Sequence, residues 1–231
     1  MELEVTYQDD FLIAINKPHG LLVHKTNLAM DADISVLKVL RAQLNKPIFT
    51  IHRLDRKTSG VLLIALDKKV QRELSKQFME RSVHKTYLAL VRGFTSAHGT
   101  IDYAVKDLKG KIKDATTHYK TLKKYELDLP FGKHLTSRYS LVELKPETGR
   151  YHQLRMHMAH IFHPIVGDRP HGCNKQNRLF KERFDLMEMM LHAKDIEFFH
   201  PTLNRRMQVC APLSDTFNRM LNTFEKECIL S

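Results

Sequence analysis

Cysteine is scarce. The three in this chain of 231 residues, Cys173, Cys210 and Cys228, are odd in number and lack the paired spacing of a zinc site or a secreted disulfide framework. A reducing, cytoplasmic setting is therefore expected. Long apolar runs are missing too: residues 61–66 form one of the longest, far short of the roughly 20 residues that cross a bilayer. The start, Met1-Glu2-Leu3-Glu4, has no positive region leading into an apolar core, so no signal peptide and no membrane association are expected. Low-complexity tracts, internal repeats and recognisable linkers are absent as well. With 42% hydrophobic and 27% charged residues, the chain is expected to fold alone as one continuous domain spanning residues 1–231. Acid is outnumbered by base, 26 to 37, and the resulting charge of +11 favours a polyanion such as nucleic acid or an anionic membrane. The basic residues are spread along the chain, so charge alone does not choose among RNA, DNA and lipid.

Periodicity supplies the elements. Residues 12–15 read as a strand stopped by Asn16-Lys17-Pro18, and residues 21–24 as the next, with Gly20 in the turn. Ser35 caps a helix whose Val36, Leu37, Leu40 and Leu44 form one stripe, ending before Pro47. Residues 48–51 read as a short strand and residues 61–66 as a buried one, which makes the polar stretch between them a loop held by core strands. Asp67 caps a second helix with Val70, Leu74 and Phe78 inward. Residues 84–91, 99–105, 116–125 and 138–145 follow as strands with no strong helix between them, which points to antiparallel pairing. Thr148 is expected to cap a helix reaching about Phe162, and another helix to start near Ser214. Residues 168–183 read as a polar loop-like insert, with Arg169, Lys175 and Arg178 as candidate RNA contacts. The fold class is α+β, a mixed, largely antiparallel central sheet flanked by helices.

The loop is His52-Arg53-Leu54-Asp55-Arg56-Lys57-Thr58-Ser59-Gly60. Asp and Ser in a loop often do no more than satisfy nearby backbone donors. Here, however, Arg53 and Arg56 flank Asp55, and such cations favour an ionised carboxylate able to act as nucleophile or base. A kinase reading fails, because Leu54 interrupts the His-Arg-Asp string and neither a Gly-rich loop nor a downstream Asp-Phe-Gly accompanies it. His152, His157, His160 and His163 lie in or beside one expected helix and invite a metal hypothesis. Without a His-Glu-x-x-His pattern, packing or phosphate contacts explain them better, and no metal is expected.

At these loops the chain resembles the RluA-type family of pseudouridine synthases. The 52–60 loop resembles the family's catalytic motif, and Ile15-Asn16-Lys17-Pro18-His19-Gly20-Leu21 its first strand and turn. Residues 85–91, with Tyr87, are similar to its tyrosine motif, and residues 147–157, with Arg155, to its arginine motif. Leu191-His192-Ala193 followed by Phe198, His200 and Pro201 is similar to its last motif. Together these matches run from about residue 10 to residue 212.

The resemblance implies the pseudouridine synthase catalytic fold, with an active-site cleft across the sheet and no appended S4-type RNA-binding domain. It implies Asp55 as the essential carboxylate, Tyr87 stacked on the uracil, Arg155 paired with Asp55, and Leu191 in the pocket wall. Arg53 would fill the space of the flipped base, and Arg56 would join it in binding RNA. No cofactor is expected, because the isomerisation conserves atoms and needs no energy source. Gly167-Asp168, His171-Gly172 and Asn177-Arg178 resemble a tRNA-acting branch of the family. The expected partner is therefore tRNA, modified in its T-stem region by a monomeric enzyme. Ribosomal RNA is the alternative substrate. A non-catalytic RNA-binding protein of the same fold and a base-releasing glycosylase are the alternatives from other classes.

Overall fold

The computed structural model describes residues 1–24 and 34–230. The opening elements are β1 (Val5–Gln8), β2 (Leu12–Lys17), α1 (Val36–Leu44), β3 (Phe49–Thr50), β4 (Ser59–Ala65) and α2 (Lys68–Met79). Next come β5 (His84–Arg92), β6 (His98–Asp102), β7 (Val105–Lys106), β8 (Ile112–Lys113), β9 (Thr116–Leu127) and β10 (Ser137–Pro146). The last are α3 (Gln153–His160), α4 (Asn174–Phe184), β11 (Leu191–His200), β12 (Arg205–Cys210) and α5 (Asp215–Glu227). They divide into two compact units, Met1–Lys85 with His192–Pro212, and Thr86–Leu191 with Leu213–Ser231. Among the described residues no helix is long and apolar enough to cross a membrane.

In the first unit β4 lies between β2, which it pairs antiparallel, and β11, which it pairs in parallel at His192↔Ser59 and Ala193↔Gly60. All seven β4 residues are buried, which accounts for the unbroken apolar run. Both helices start where expected: Ser35 accepts from the Lys38 N–H, and Asp67 from the N–H groups of Lys69 and Val70. Residues 21–24, expected as a strand, contribute only an isolated bridge from Leu22 to Ser35. Their carbonyls have another use. Leu22 O and Val23 O accept from Val36 N (2.8 Å) and Leu37 N (3.1 Å), satisfying two donors that the first turn of α1 would leave open.

The second unit is an antiparallel sheet in the order β5-β10-β9-β6. Alternation sends Leu88, Leu90, Tyr125 and Tyr139 into one core with Phe180 and Phe184 of α4 and Phe217 and Phe224 of α5. A second core gathers Ala89, Val91, Val142 and Leu144 with Leu154 and Met158 of α3. The α+β class with mostly antiparallel pairing therefore holds in both units.

Three expected elements change here. Residues 99–105 divide into β6 and β7, and β7 pairs with β8 in a separate hairpin. Helix α3 begins at Gln153 rather than just after Thr148, because His152 takes a left-handed backbone (φ 52°). Thr148 instead donates its hydroxyl to Gln153 Oε1 (2.7 Å). Residues 174–184 form α4 rather than a loop. Its inward positions, Gln176, Phe180 and Phe184, are four apart, but one of the three is polar, so the apolar period is too sparse to read. Gln176 is accommodated by donating to the Tyr139 hydroxyl (2.9 Å).

Gly60 marks a tight backbone approach in the first unit. Its φ is +107°, and a Cβ there would stand 2.1 Å from the Ala193 carbonyl oxygen. Gly110, at φ +78°, has nothing within 4 Å of that position. In thermal or urea unfolding Gly110→Ala should lose only about 1 kcal/mol, the ordinary cost of a left-handed L-residue. Gly60→Ala should lose upwards of ~3 kcal/mol, because backbone must shift as well. Equal losses would contradict the parallel β4–β11 contact.

Candidate active site

Residues 51–58 form neither helix nor strand, so Asp55 is positioned by side chains and turns. At the front of the loop the His52 ring stacks on Phe78 of α2 (4.8 Å, 19°), and its Nε2 accepts from Leu63 N (3.0 Å). Burial, reinforced by the Lys85 ammonium, pushes His52 down to about 3, so the ring is neutral. Leu54 is buried, and Thr58 N donates to Asp55 O (3.1 Å) to close a turn. At the back, the Ser59 hydroxyl meets His192 Nδ1 (2.9 Å), while His192 Nε2 lies 3.3 Å from the Ala211 carbonyl. A carbonyl only accepts, so Nε2 carries the proton and Nδ1 accepts from Ser59.

A buried lysine holds the middle. Lys17 is 0% exposed, and its Nζ donates to the carbonyls of Pro18 (2.9 Å), Leu21 (2.9 Å) and Arg56 (3.2 Å). An ammonium has one N–H for each of these three acceptors. The Arg56 carbonyl also accepts from Gly20 N (2.8 Å), and Arg56 Nε donates back to Gly20 O (3.0 Å). The 17–21 turn and the Asp55 loop are thereby tied together. Burial lowers the Lys17 pKa to about 7, against the opposing pull of the Asp55 carboxylate. Burial, then the charges of Lys17, Lys57 and Arg56, lower His19 to about 4. Asp55 is itself half-buried and interacts with the Lys17 charge, while Arg53 is exposed.

The sequence reading missed Lys17, His19 and the Ser59–His192 pair. Asn16-Lys17-Pro18 was a strand terminator by composition, yet Lys17 keeps the inward parity of Ile13 and Ile15, and that was the available signal.

In the second unit, Arg155 and Asp168 form a bidentate pair, Nε to Oδ2 at 2.7 Å and Nη2 to Oδ1 at 2.8 Å, with the side chains 4% and 1% exposed. In the sequence Asp168 opens the polar insert and belongs to the stretch that resembles the tRNA-acting branch, with no pairing to Arg155 expected. Breaking such a pair from one side leaves an uncompensated buried charge, at a cost of roughly 3–5 kcal/mol. Asn177 of α4 brackets its turn, accepting from Gly167 N (3.0 Å) and donating to Asp168 O (2.7 Å). Gln153 fixes the start of α3. Its Oε1 accepts from Thr148 and Arg150 N, and its Nε2 donates to Thr116 O and Thr117 Oγ1, tying the start of α3 to β9.

Tyr87 is half-buried and packs against the core that holds Leu191 and Leu154, the neighbour of Arg155. Leu191 is 2% exposed. Arg169 and Arg178 line one cavity of about 470 Å³, whereas Lys175 is exposed and does not line it. Arg178 donates to Glu182 (2.8 Å), one helical turn away. All four histidines have partners. His152 meets His171 Nε2 (3.0 Å), His157 meets Thr117 Oγ1 and the Tyr103 carbonyl, His160 stacks on Tyr103, and His163 Nδ1 meets the Arg92 carbonyl. Among the described residues no three His, Cys, Asp or Glu side chains gather as metal ligands.

The family model described as RNA pseudouridylate synthase matches residues 11–160, a span holding the Asp55 loop, Tyr87 and Arg155. The chain belongs to the RNA pseudouridylate synthase family. It is 44% identical over 236 residues to tRNA pseudouridine synthase C of Vibrio parahaemolyticus serotype O3:K6, covering 97% of this chain and 96% of that protein. The enzyme of the same name from Haemophilus ducreyi is 45% identical over 234 residues, with 97% and 96% covered. Among solved structures, human RNA pseudouridylate synthase domain containing 1 superposes with a TM-score of 0.73 at 26% identity, covering 97% of this chain and 95% of that one. Human RNA pseudouridylate synthase domain containing 4 shares the fold, with a TM-score of 0.74 at 24% identity and 96% and 93% covered.

In this pseudouridylate synthase the Lys17 clamp has a measurable signature. The unfolded lysine keeps its proton up to about 10.5, whereas the folded one releases it from about 7. Between those values unfolding takes up a proton, so rising pH favours the fold. The stability of the wild type relative to Lys17→Met should therefore increase as pH rises from about 7 towards 10.5 and stay level below 7. Chemical denaturation at several pH values reads it, and a flat difference would contradict the buried amine.

Proposed function

We propose that this chain isomerises uridine to pseudouridine in tRNA, in the T-stem region near the acceptor, as a monomeric cytoplasmic enzyme built as one catalytic domain. The observation that carries the reading is similarity along almost the whole chain to relatives named tRNA pseudouridine synthase C, at 44% and 45% identity. The 167–178 stretch, where the sequence resembles that group, contains the Asp168 turn that holds Arg155.

The reaction breaks the bond from the ribose C1′ to N1, turns the uracil, and joins C1′ to C5. The C5 proton leaves and N1 gains one, so atoms and electrons balance without a cofactor. Asp55 is the essential carboxylate in this proposal, as nucleophile at C1′ or as base on a ribose proton. Arg155, held by Asp168, pairs with Asp55 and orients it in this proposal. Tyr87 stacks on the uracil and relays the C5 proton, and Leu191 supports the pocket wall. A uridine in a stem must first leave the stack, at a cost of a few kcal/mol, and Arg53 fills the space it vacates. Arg56, Arg169, Lys175 and Arg178 contact phosphates of a compact folded RNA recognised by shape.

Chemistry and binding should separate. Asp55→Asn and Asp55→Ala are expected to abolish pseudouridine formation while leaving RNA affinity within severalfold, since cationic contacts to phosphate dominate binding. Single-turnover assays beside filter binding test this. More than a trace of activity in Asp55→Ala would remove Asp55 from the chemistry.

A further inference from the structure

Phe162 combines two unfavourable choices. It follows α3 with a left-handed backbone, φ 64°, a conformation that side chains other than glycine adopt only at a cost. It is also 89% exposed, so burial of the ring returns nothing. The left-handed residue closes the end of α3, with Phe162 N donating to Ala159 O (3.0 Å) and His163 N to Met158 O (2.8 Å); glycine serves best there, and a bare aromatic ring in its place is the feature that calls for a partner.

The turn that carries it is fastened to the end of β5. His163 Nδ1 donates to the Arg92 carbonyl (2.8 Å), and Arg92 N donates to Pro164 O (3.0 Å). At that strand end cations and rings interleave. The Arg92 guanidinium lies over Phe131 (5.3 Å), that of Arg138 over Phe94 (5.1 Å), and the Lys124 ammonium over Phe94 (5.5 Å). Arg92, Phe131, Lys133, His134 and Arg138 line a cavity of about 460 Å³. Glu126 pairs with Arg138 (3.1 Å), and the cluster stays cationic through Arg92, Lys124 and Lys133. Arg92 is five residues beyond Tyr87 on β5, roughly 17 Å at the rise of a strand, and alternation turns it to the opposite side. Arg92 and the cavity it lines thus lie away from the place where Tyr87 acts.

We propose that this strand end, with Phe94, Phe131, Arg92 and Arg138 beside Phe162, docks unpaired nucleotides of the RNA substrate away from the reacting uridine. Unpaired bases stack on aromatic rings and on guanidinium planes, and the surrounding cations hold the backbone phosphates. Charge complementarity favours RNA over an apolar or cationic protein partner. The inference rests on the reading that the chain acts on RNA.

Full-length Phe162→Gly and Lys133→Gln variants test it, with an unmodified tRNA transcript and an isolated stem-loop carrying the target uridine as probes. Phe162→Gly relieves the backbone strain, so its melting temperature should hold or rise. Its affinity for the tRNA transcript should nevertheless fall about tenfold, as loss of one stacked base would produce. Lys133→Gln should reduce the salt dependence of tRNA binding by about one charge. Affinity for the stem-loop and kcat at saturating RNA should be unchanged in both. Unchanged tRNA affinity in both variants would overturn the proposal, as would equal losses on the two RNAs. Affinity is read without turnover, so a wild type that binds tRNA but forms no pseudouridine would refute the isomerase reading alone.

Discussion

An amine with no exposed surface must be satisfied by whatever surrounds it, and Lys17 draws the Asp55 loop into place by that requirement. The loop has no strand or helix of its own to fix it. Its backbone is held because the Arg56 carbonyl is one of three acceptors that a buried ammonium needs, together with those of Pro18 and Leu21. His52 on Phe78 and Ser59 on His192 secure the two ends. The rest of the first unit supports this arrangement: β4 follows the loop directly, and Gly60 lets β11 approach where any side chain would collide.

The second unit solves a similar problem with a guanidinium. Arg155 is buried like Lys17, but it is met by a carboxylate rather than by carbonyls, and Asn177 holds that carboxylate's turn through both sides of its amide. Buried charge in both units serves geometry more than net stability, since a dry ion pair offsets its own desolvation only when every donor is met. Helix α4 belongs to the same arrangement. It carries Asn177 on one side and packs Phe180 and Phe184 beneath the sheet on the other, so the polar character of its sequence conceals a positioning element.

Much of this was legible beforehand. Ser35, Asp67 and Ser214 cap helices as their side-chain chemistry requires, and the alternation from residue 84 onward gives the antiparallel strands. The 52–60 loop stood out because a carboxylate between two arginines ahead of a buried strand is unusual. What could not be read depends on tertiary partners. Residues 21–24 look like a strand until α1 takes their carbonyls, and residues 174–184 look like a loop until Gln176 finds the Tyr139 hydroxyl. The resemblance to the tRNA-acting branch marked Asp168 without a role, because only the fold shows that Arg155 is buried against it.

Product analysis on two RNAs tests the central claim most directly. Purified protein is incubated separately with unmodified tRNA and ribosomal RNA transcripts, RNA mass is measured, and pseudouridine is mapped chemically. The account predicts pseudouridine at a T-stem uridine of the tRNA with no change in RNA mass. Loss of mass through release of free base, or modification of the ribosomal transcript alone, would contradict it.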